Sequence, residues 1–312
     1  MSRFIEIDGN PVPPRAQAIE FAANDGAKLR GAFFPVENAR GTAVLVTGWS
    51  EFIEKYFETV TDLHARKLNV AMMDWRGQGL SDRSSAERTK WSGYFNQITD
   101  DLRLFIESHV KARFPGPYIL MTHSMGGMPA LMLLASGYPA FECAVLCAPM
   151  TRLFPEPRNR ITALAASLAS NFGMARKPVT RGTDHADVFE GNIFTSDPGR
   201  HAIFRDLRLA LGESANDAPT YGWVSAAMKA SAAIHAPGAL DGVQTPVLII
   251  SAGAEQQIDG GDHANIAAAN PNIRQEIIDG ALHEILMERN EIRAQYFSAF
   301  DAFIEPALNS RS

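Results

Sequence analysis

Residues 118–128 read YILMTHSMGGM. Four apolar or β-favouring residues, Tyr118, Ile119, Leu120 and Met121, run into the tight turn Thr122-His123-Ser124-Met125-Gly126-Gly127, and an apolar helical run follows over residues 128–135. A strand that stops abruptly and reverses into a helix sets the turn residue Ser124 at the carboxyl edge of a sheet. Its hydroxyl is exposed there, with the partial positive charge of the helix N-terminus just behind it. Gly126 and Gly127 suit this turn, because a side chain at either would crowd the approach of helix to strand. The arrangement is that of a nucleophile elbow, G-x-S-x-G, with Thr122 in the place of the first glycine. A lone S-x-G is frequent by chance, so its weight depends on partners elsewhere in the chain.

The chain on both sides of this turn alternates strand and helix. Residues 18–21 and 29–36 flank Asn24-Asp25-Gly26, a hairpin turn signal. Residues 41–47 (GTAVLVT) form a nearly all-apolar, β-branched run, the mark of a strand buried on both faces, and end at Gly48-Trp49-Ser50. A helical stretch with apolar Tyr56, Val60, Leu63 and Leu68 leads to a short strand over 70–73 and the Gly-rich loop 74–79. Residues 96–114 read as a helix with Ile98, Leu102, Phe105, Ile106 and Val110 on one face. After the elbow and its helix comes a strand at 144–147. From 149 to 237 no buried strand is evident; helical pieces at 161–171, 200–211 and 221–234 are split by Gly, Pro and Asp clusters. The strand pattern resumes at 245–251, followed by a helix at 262–269, a strand at 273–278 and a terminal helix at 284–303. The expectation is an α/β fold with a mostly parallel central sheet flanked by helices: a core of residues 1–148 and 238–312, interrupted by a helical cap over 149–237. The Pro-rich residues 1–17 are expected to drape over it as an arm.

Composition narrows the partners. With 46% hydrophobic and 21% charged residues and a net charge of −6, the chain reads as an ordinary soluble protein without the basic stripe that nucleic acid requires. Cys143 and Cys147 stand four apart on one strand, roughly 13 Å at the usual rise, too far for a disulfide. They are expected to be buried thiols in a reducing compartment. The first 16 residues hold no signal-peptide core, and no apolar run approaches the ~18 residues that span a bilayer. The reading is a cytoplasmic protein, with transient contact between the cap and a membrane surface left open.

A serine hydroxyl needs a base within hydrogen-bond reach and a carboxylate to orient that base. His283 follows the strand 273–278 at the same sheet edge, immediately before the last helix, and is the candidate base. His123 adjoins the serine and is expected to point away into sheet packing. His64 and His109 fall on surface helices, and His185, His201 and His235 in the cap; His263 is the remaining rival. The acid is sought in the loop after strand 245–251, where Glu255 and Asp259 compete, Glu255 being nearer the strand end and Asp262 a more distant third. Two oxyanion donors are expected: the backbone N–H of Met125, directly after Ser124, and that of Trp49, aimed by the turn at Gly48. No histidine or cysteine spacing matches a metal site, and no cofactor is called for.

Five segments carry a family resemblance: TGWSEFIEKYFE (47–58), DWRGQGLSDR (74–83), THSMGG (122–127), PVLIISAGAE (246–255) and ALHEILME (281–288). The chain resembles α/β-hydrolases of the monoglyceride lipase and lysophospholipase L2 type, and the cap segment TSDPGRHAIFRDLRLALG (195–212) is similar to the lysophospholipase branch. The resemblance implies Ser124 as nucleophile, His283 as base, Glu255 where the family usually has Asp, and Trp49 and Met125 at the oxyanion hole. Thr47 and Thr122 depart from the family's His and Gly without removing a catalytic group. The Glu for Asp exchange lengthens the reach to His283 and leaves Asp259 open as the acid. The expected activity is hydrolysis of carboxylic esters through an acyl-enzyme. The expected substrate is a small acyl-bearing ester, a monoacylglycerol or a lysophospholipid. A generic carboxylesterase, a thioesterase, or a weakly catalytic ligand-binding protein of this fold are the alternatives. Haloalkane dehalogenases and epoxide hydrolases need Asp where this chain has Ser124.

Overall fold

The computed structural model describes residues 3–83, 93–179, 188–212 and 218–309. Among them, eight strands form one sheet: β1 (Gln17–Ala22), β2 (Lys28–Phe34), β3 (Gly41–Val46), β4 (Leu68–Met73), β5 (Tyr118–His123), β6 (Cys143–Cys147), β7 (Val247–Ala252) and β8 (Ile273–Ile278). Their order is β1-β2-β4-β3-β5-β6-β7-β8. Strand β2 runs antiparallel to β1 and β4, and every other pairing is parallel. The hairpin turns where the sequence calls for it: Gly26 takes φ 81°, and the Asp25 carboxylate accepts the Ala27 N–H at 3.2 Å.

The helices are α1 (Phe57–Ala65), α2 (Tyr94–Phe105), α3 (Gly127–Ala135), α4 (Arg158–Ala169), α5 (Pro198–Leu211), α6 (Tyr221–Ile234), α7 (His263–Ala269) and α8 (Asn290–Asn309). A wider turn, Ile106–Val110, and a short helix, Lys111–Arg113, prolong α2. Alternate strand residues feed two cores. Val44, Val46, Ala71 and Met73 pack with Ile98 and Leu102 of α2, Leu131 of α3 and Trp223 of α6. Ala43, Leu45, Val70 and Met72 pack with Val60 of α1 and Phe300 of α8. Continuous apolar strands are thereby buried on both faces, as parallel sheets require.

Between β6 and β7 the described residues contribute α4, α5 and α6 and no strand of the sheet. Asp197 caps α5 by accepting the Arg200 N–H at 2.9 Å, and Thr220 caps α6 by accepting the Trp223 N–H at 3.2 Å. Residues 3–16 form no regular element; Ile5 packs with Phe52, Leu207 and Leu211, and its N–H donates to Glu54 Oε1 at 2.9 Å.

The last helix begins later than its periodicity predicts, at Asn290 rather than residue 284. Tertiary partners take the intervening backbone. The Glu284 N–H donates to the Phe194 carbonyl at 2.8 Å, and the Glu288 carboxylate accepts the Leu282 N–H at 3.1 Å. Only the single tight turn Ile285–Met287 fits between them.

Candidate active site

Chain direction across the sheet reverses between β3 and β5: the chain moves from β3 to β4 on one side and from β5 to β6 on the other. In parallel sheets a crevice opens at the carboxyl ends of such a pair. Ser124 occupies it, directly after β5, with φ 48°, a backbone conformation costly for a residue with a side chain. Two glycines make the turn geometrically feasible. A Cβ on Gly126 would stand 2.6 Å from the Thr47 carbonyl oxygen, and one on Gly127 would stand 2.4 Å from Pro149 Cβ. Thr122, where a first glycine is usual, fits as the penultimate residue of β5, paired with Val46 and Leu146.

His283 Nε2 lies 2.8 Å from Ser124 Oγ, and its Nδ1 lies 2.7 Å from Glu255 Oε2. All three groups are nearly excluded from water: Ser124 is 8% exposed, and the His283 and Glu255 side chains 4% and 5%. The other Glu255 oxygen accepts the N–H groups of Gln257 at 2.7 Å and Ile258 at 3.3 Å. Burial alone would raise the Glu255 carboxyl, but the hydrogen bond and charge of His283 and these two N–H donors outweigh it and hold the group below its usual range. Of the two carboxylates that sequence left competing, Glu255 meets His283. The Asp259 N–H is bound to the Arg152 carbonyl at 3.1 Å, and Asp262 is engaged with Thr151, Arg152 and His235.

The loop after β3 abuts the serine: a Cβ on Gly48 would lie 3.0 Å from Ser124 Cβ. Trp49 follows at once and packs on Trp223 of α6 with ring centroids 4.5 Å apart. Met125, next to Ser124, is fully buried at the start of the turn into α3. Gly48, the residue before Trp49, thus lies against Ser124, and Met125 follows Ser124 directly in the chain.

The remaining histidines are engaged elsewhere. His263 is buried with Nδ1 2.8 Å from Ser251 Oγ and Nε2 2.8 Å from the Pro149 carbonyl. His235 pairs with Asp262 at 2.8 Å, His64 faces the Phe34 carbonyl at 3.2 Å, His109 packs on Phe21, and His201 on Phe189. His185 lies outside the described residues. His123 departs from expectation. Rather than packing passively among sheet neighbours, its ring nitrogens face Glu51 Oε1 at 2.8 Å and the His283 carbonyl at 3.2 Å. Glu51 and Lys55, which sequence reasoning passed over, sit with it beneath the site. The available signal was three charges, Glu51, Glu54 and Lys55, set among the apolar residues that follow β3. Among the described residues no group of three or more His, Cys, Asp or Glu side chains could hold a metal ion, and no helix is long and apolar enough to cross a membrane. Cys143 and Cys147 are free and buried.

A parallel sheet with a serine elbow at its switch point and a histidine after its last strand defines an α/β-hydrolase. Residues 37–290 match the family described as serine aminopeptidase, S33, and the chain belongs to that family. It is 29% identical over 290 residues to lysophospholipase L2 of Escherichia coli strain K12, covering 88% of this chain and 83% of the relative. It is 26% identical over 271 residues to probable lysophospholipase L2 of Haemophilus influenzae, covering 86% and 85%. The fold matches a soluble variant of monoglyceride lipase from Saccharomyces cerevisiae, with a TM-score of 0.76, 22% identity, and 98% and 99% of the two chains covered. It also matches a carboxyl esterase from Bacillus coagulans, with a TM-score of 0.73, 16% identity, and 94% and 99% covered. With this membership and these relatives the protein is a carboxylic ester hydrolase.

Proposed function

We propose that the protein cleaves the acyl ester of a monoacylglycerol or lysophospholipid through a Ser124–His283–Glu255 triad and an acyl-enzyme. The observation that carries this reading is the continuous hydrogen-bonded line from Ser124 Oγ through both nitrogens of His283 to Glu255, at 2.8 and 2.7 Å. His283 takes the Ser124 proton as Oγ attacks the ester carbonyl, and Glu255 holds the imidazole in the required tautomer. The N–H groups of Trp49 and Met125 receive the developing oxyanion. His283 then gives its proton to the leaving alcohol, and water, activated by the same base, releases the acid.

We place the acyl chain under a cap formed by residues 149–237. Trp223 of this segment, packed at a tilt against Trp49 with ring centroids 4.5 Å apart, supports an apolar roof over the nucleophile. The cap also provides a surface for contact with lipid. Ile161, Leu164 and Leu168 lie along one side of α4 at 66%, 64% and 49% exposure, and Phe172 follows at 81%. Exposed Arg158 and Arg160 on the same helix suit an anionic bilayer. The two buried free thiols support a reducing, cytoplasmic setting.

The test is labelling by a fluorophosphonate probe together with a panel of p-nitrophenyl esters of graded length, a monoacylglycerol, a lysophospholipid and alanine p-nitroanilide. Labelling lost in Ser124→Ala, with turnover of the two lipids, is the expected result. Full activity in Ser124→Ala would sink the mechanism. Turnover of the anilide alone would replace the ester reading with the peptidase chemistry that the family's description names.

A further inference from the structure

Beneath the proposed triad lies a second cluster of charges. Glu51, Lys55 and His123 are all 3% exposed or less, and Glu284 is 8% exposed. Glu51 Oε2 accepts the Gly48 N–H and the Tyr56 hydroxyl, the latter at 2.6 Å. Its Oε1 accepts from Lys55 Nζ at 2.6 Å and faces His123 Nδ1 at 2.8 Å. Lys55 Nζ also reaches Glu284 Oε1 at 2.8 Å and is covered from the α5 side by the Phe204 ring, 4.4 Å away. The second nitrogen of His123, Nε2, faces the backbone carbonyl of His283 at 3.2 Å.

A neutral imidazole has one N–H and one lone pair. Here each ring nitrogen faces an oxygen that can only accept: the Glu51 carboxylate, already taking three other donors, and a peptide carbonyl. A neutral ring would leave a lone pair aimed at one of them, at a position where His123 is only 2% exposed. It would also leave two carboxylates, Glu51 and Glu284, against the single cation Lys55. We propose that His123 is a positioning residue held as an imidazolium, donating one N–H to Glu51 and the other to the His283 carbonyl, and so fastening the base loop to the elbow.

The surrounding groups are consistent with that charge. Burial opposes it, but the Glu51 carboxylate overcomes burial and raises the His123 pKa, with Glu284 adding to the effect and Lys55 opposing it. The charges of His123 and Lys55 hold Glu51 well below the ordinary carboxylate range in spite of burial. Burial drives the Tyr56 hydroxyl and the Cys147 thiol well up, so neither adds charge. Because Glu51 also holds the Gly48 N–H, one carboxylate connects three pieces of backbone: the loop before Trp49, the residue preceding Ser124, and, through His123, the residue that bears the base. A neutral His123 would loosen the last of these.

The inference rests on His283 being the base, and its test separates the two. Protein labelled with ¹⁵N-histidine is examined by long-range ¹H–¹⁵N correlation at about pH 8, above the ordinary histidine value of about 6.5, with His123→Gln assigning the signal. Both ring nitrogens protonated is the expected result; one unprotonated nitrogen overturns the proposal, whatever the enzyme's activity. In parallel, His123→Phe is expected to lower kcat on the order of tenfold to a hundredfold, the scale of a small misplacement of a catalytic group, with KM little changed. His123→Gln, which still donates, should recover part of that loss. A folded His123→Phe with wild-type kcat overturns the positioning role. Should that variant not fold, the wild-type spectrum decides. Wild-type protein that is neither labelled by the fluorophosphonate nor active, yet carries a doubly protonated His123, removes the triad reading and the positioning role with it, but leaves the imidazolium standing.

Discussion

The Glu255 carboxylate faces His283 Nδ1 at 2.7 Å with one oxygen and accepts two backbone N–H groups of its own loop with the other. A glutamate reaches one methylene further than the aspartate usual at this place, and the turn through Gln257 and Ile258 folds that extra length back. The carboxylate is anchored on both sides and kept ionised, the state an orienting acid needs. Glu255→Gln replaces an acceptor with a donor and favours the wrong imidazole tautomer. It is expected to lower kcat by about 10³ to 10⁴, while Asp259→Asn leaves kcat unchanged. Steady-state hydrolysis of p-nitrophenyl butyrate measures both, and a larger loss in Asp259→Asn would transfer the role to that residue.

Gly126 is the tightest point of the elbow against backbone. An added methyl would meet the Thr47 oxygen at 2.6 Å and the Val46 oxygen at 3.0 Å, neither of which can rotate away. Gly126→Ala is expected to cost about 1–3 kcal/mol, read as a lower urea midpoint, and to depress fluorophosphonate labelling more than it depresses stability. A variant as stable as wild type would mean that β3 and the turn separate more easily than their contacts indicate.

Asp262 ties the end of α6 to the core. It accepts from Thr151 Oγ1 at 2.7 Å and pairs with His235, just past the end of α6, at 2.8 Å. Burial alone would raise its carboxyl, but the hydrogen bonds from His235 and Thr151 bring it down from 3.8 to about 2. A depressed carboxylate stabilises the fold above its unfolded value, and that contribution, about 2 kcal/mol, fades as pH falls from 3.8 toward 2. The hydrogen bond to Asp262 raises His235 above 6.5 in spite of burial, so its share is full below 6.5 and is lost as pH rises through the raised value. The stability gap between wild type and Asp262→Asn should therefore be widest between about pH 4 and pH 6.5 and narrow on both sides. Urea titrations across pH test this, and a gap independent of pH would assign the residue a purely steric role.

The exposed row Ile161, Leu164, Leu168 and Phe172 has no role in the core. Leu164→Glu combined with Phe172→Glu is expected to weaken sedimentation with anionic vesicles by at least about tenfold, given the ~1.5–3 kcal/mol that burying each side chain is worth. Hydrolysis of a monoacylglycerol presented in vesicles should fall with it, while hydrolysis of soluble p-nitrophenyl acetate should not. Equal loss on both substrates would place the row in the folding of the cap instead.

What is encoded locally could be read without the tertiary structure. The strand, tight turn and helix around Ser124 follow from β-favouring residues running into Gly126 and Gly127, where the Thr47 carbonyl and the Pro149 ring stand too close for any side chain. The buried parallel strands follow from unbroken apolar runs such as residues 41–47, and α6 from the helical pattern over residues 221–234. Where two or more distant segments had to meet, local pattern left the matter open. Glu255 and Asp259 lie four residues apart on one loop, and only the fold of that loop brings Glu255 to His283. The last helix starts late because Phe194, far back in the chain, takes the Glu284 N–H. His123 looked like sheet packing because its two acceptors belong to residues 72 and 160 positions away. A hydrogen bond is decided by direction and distance between partners, and for partners that far apart these exist only once the chain has folded.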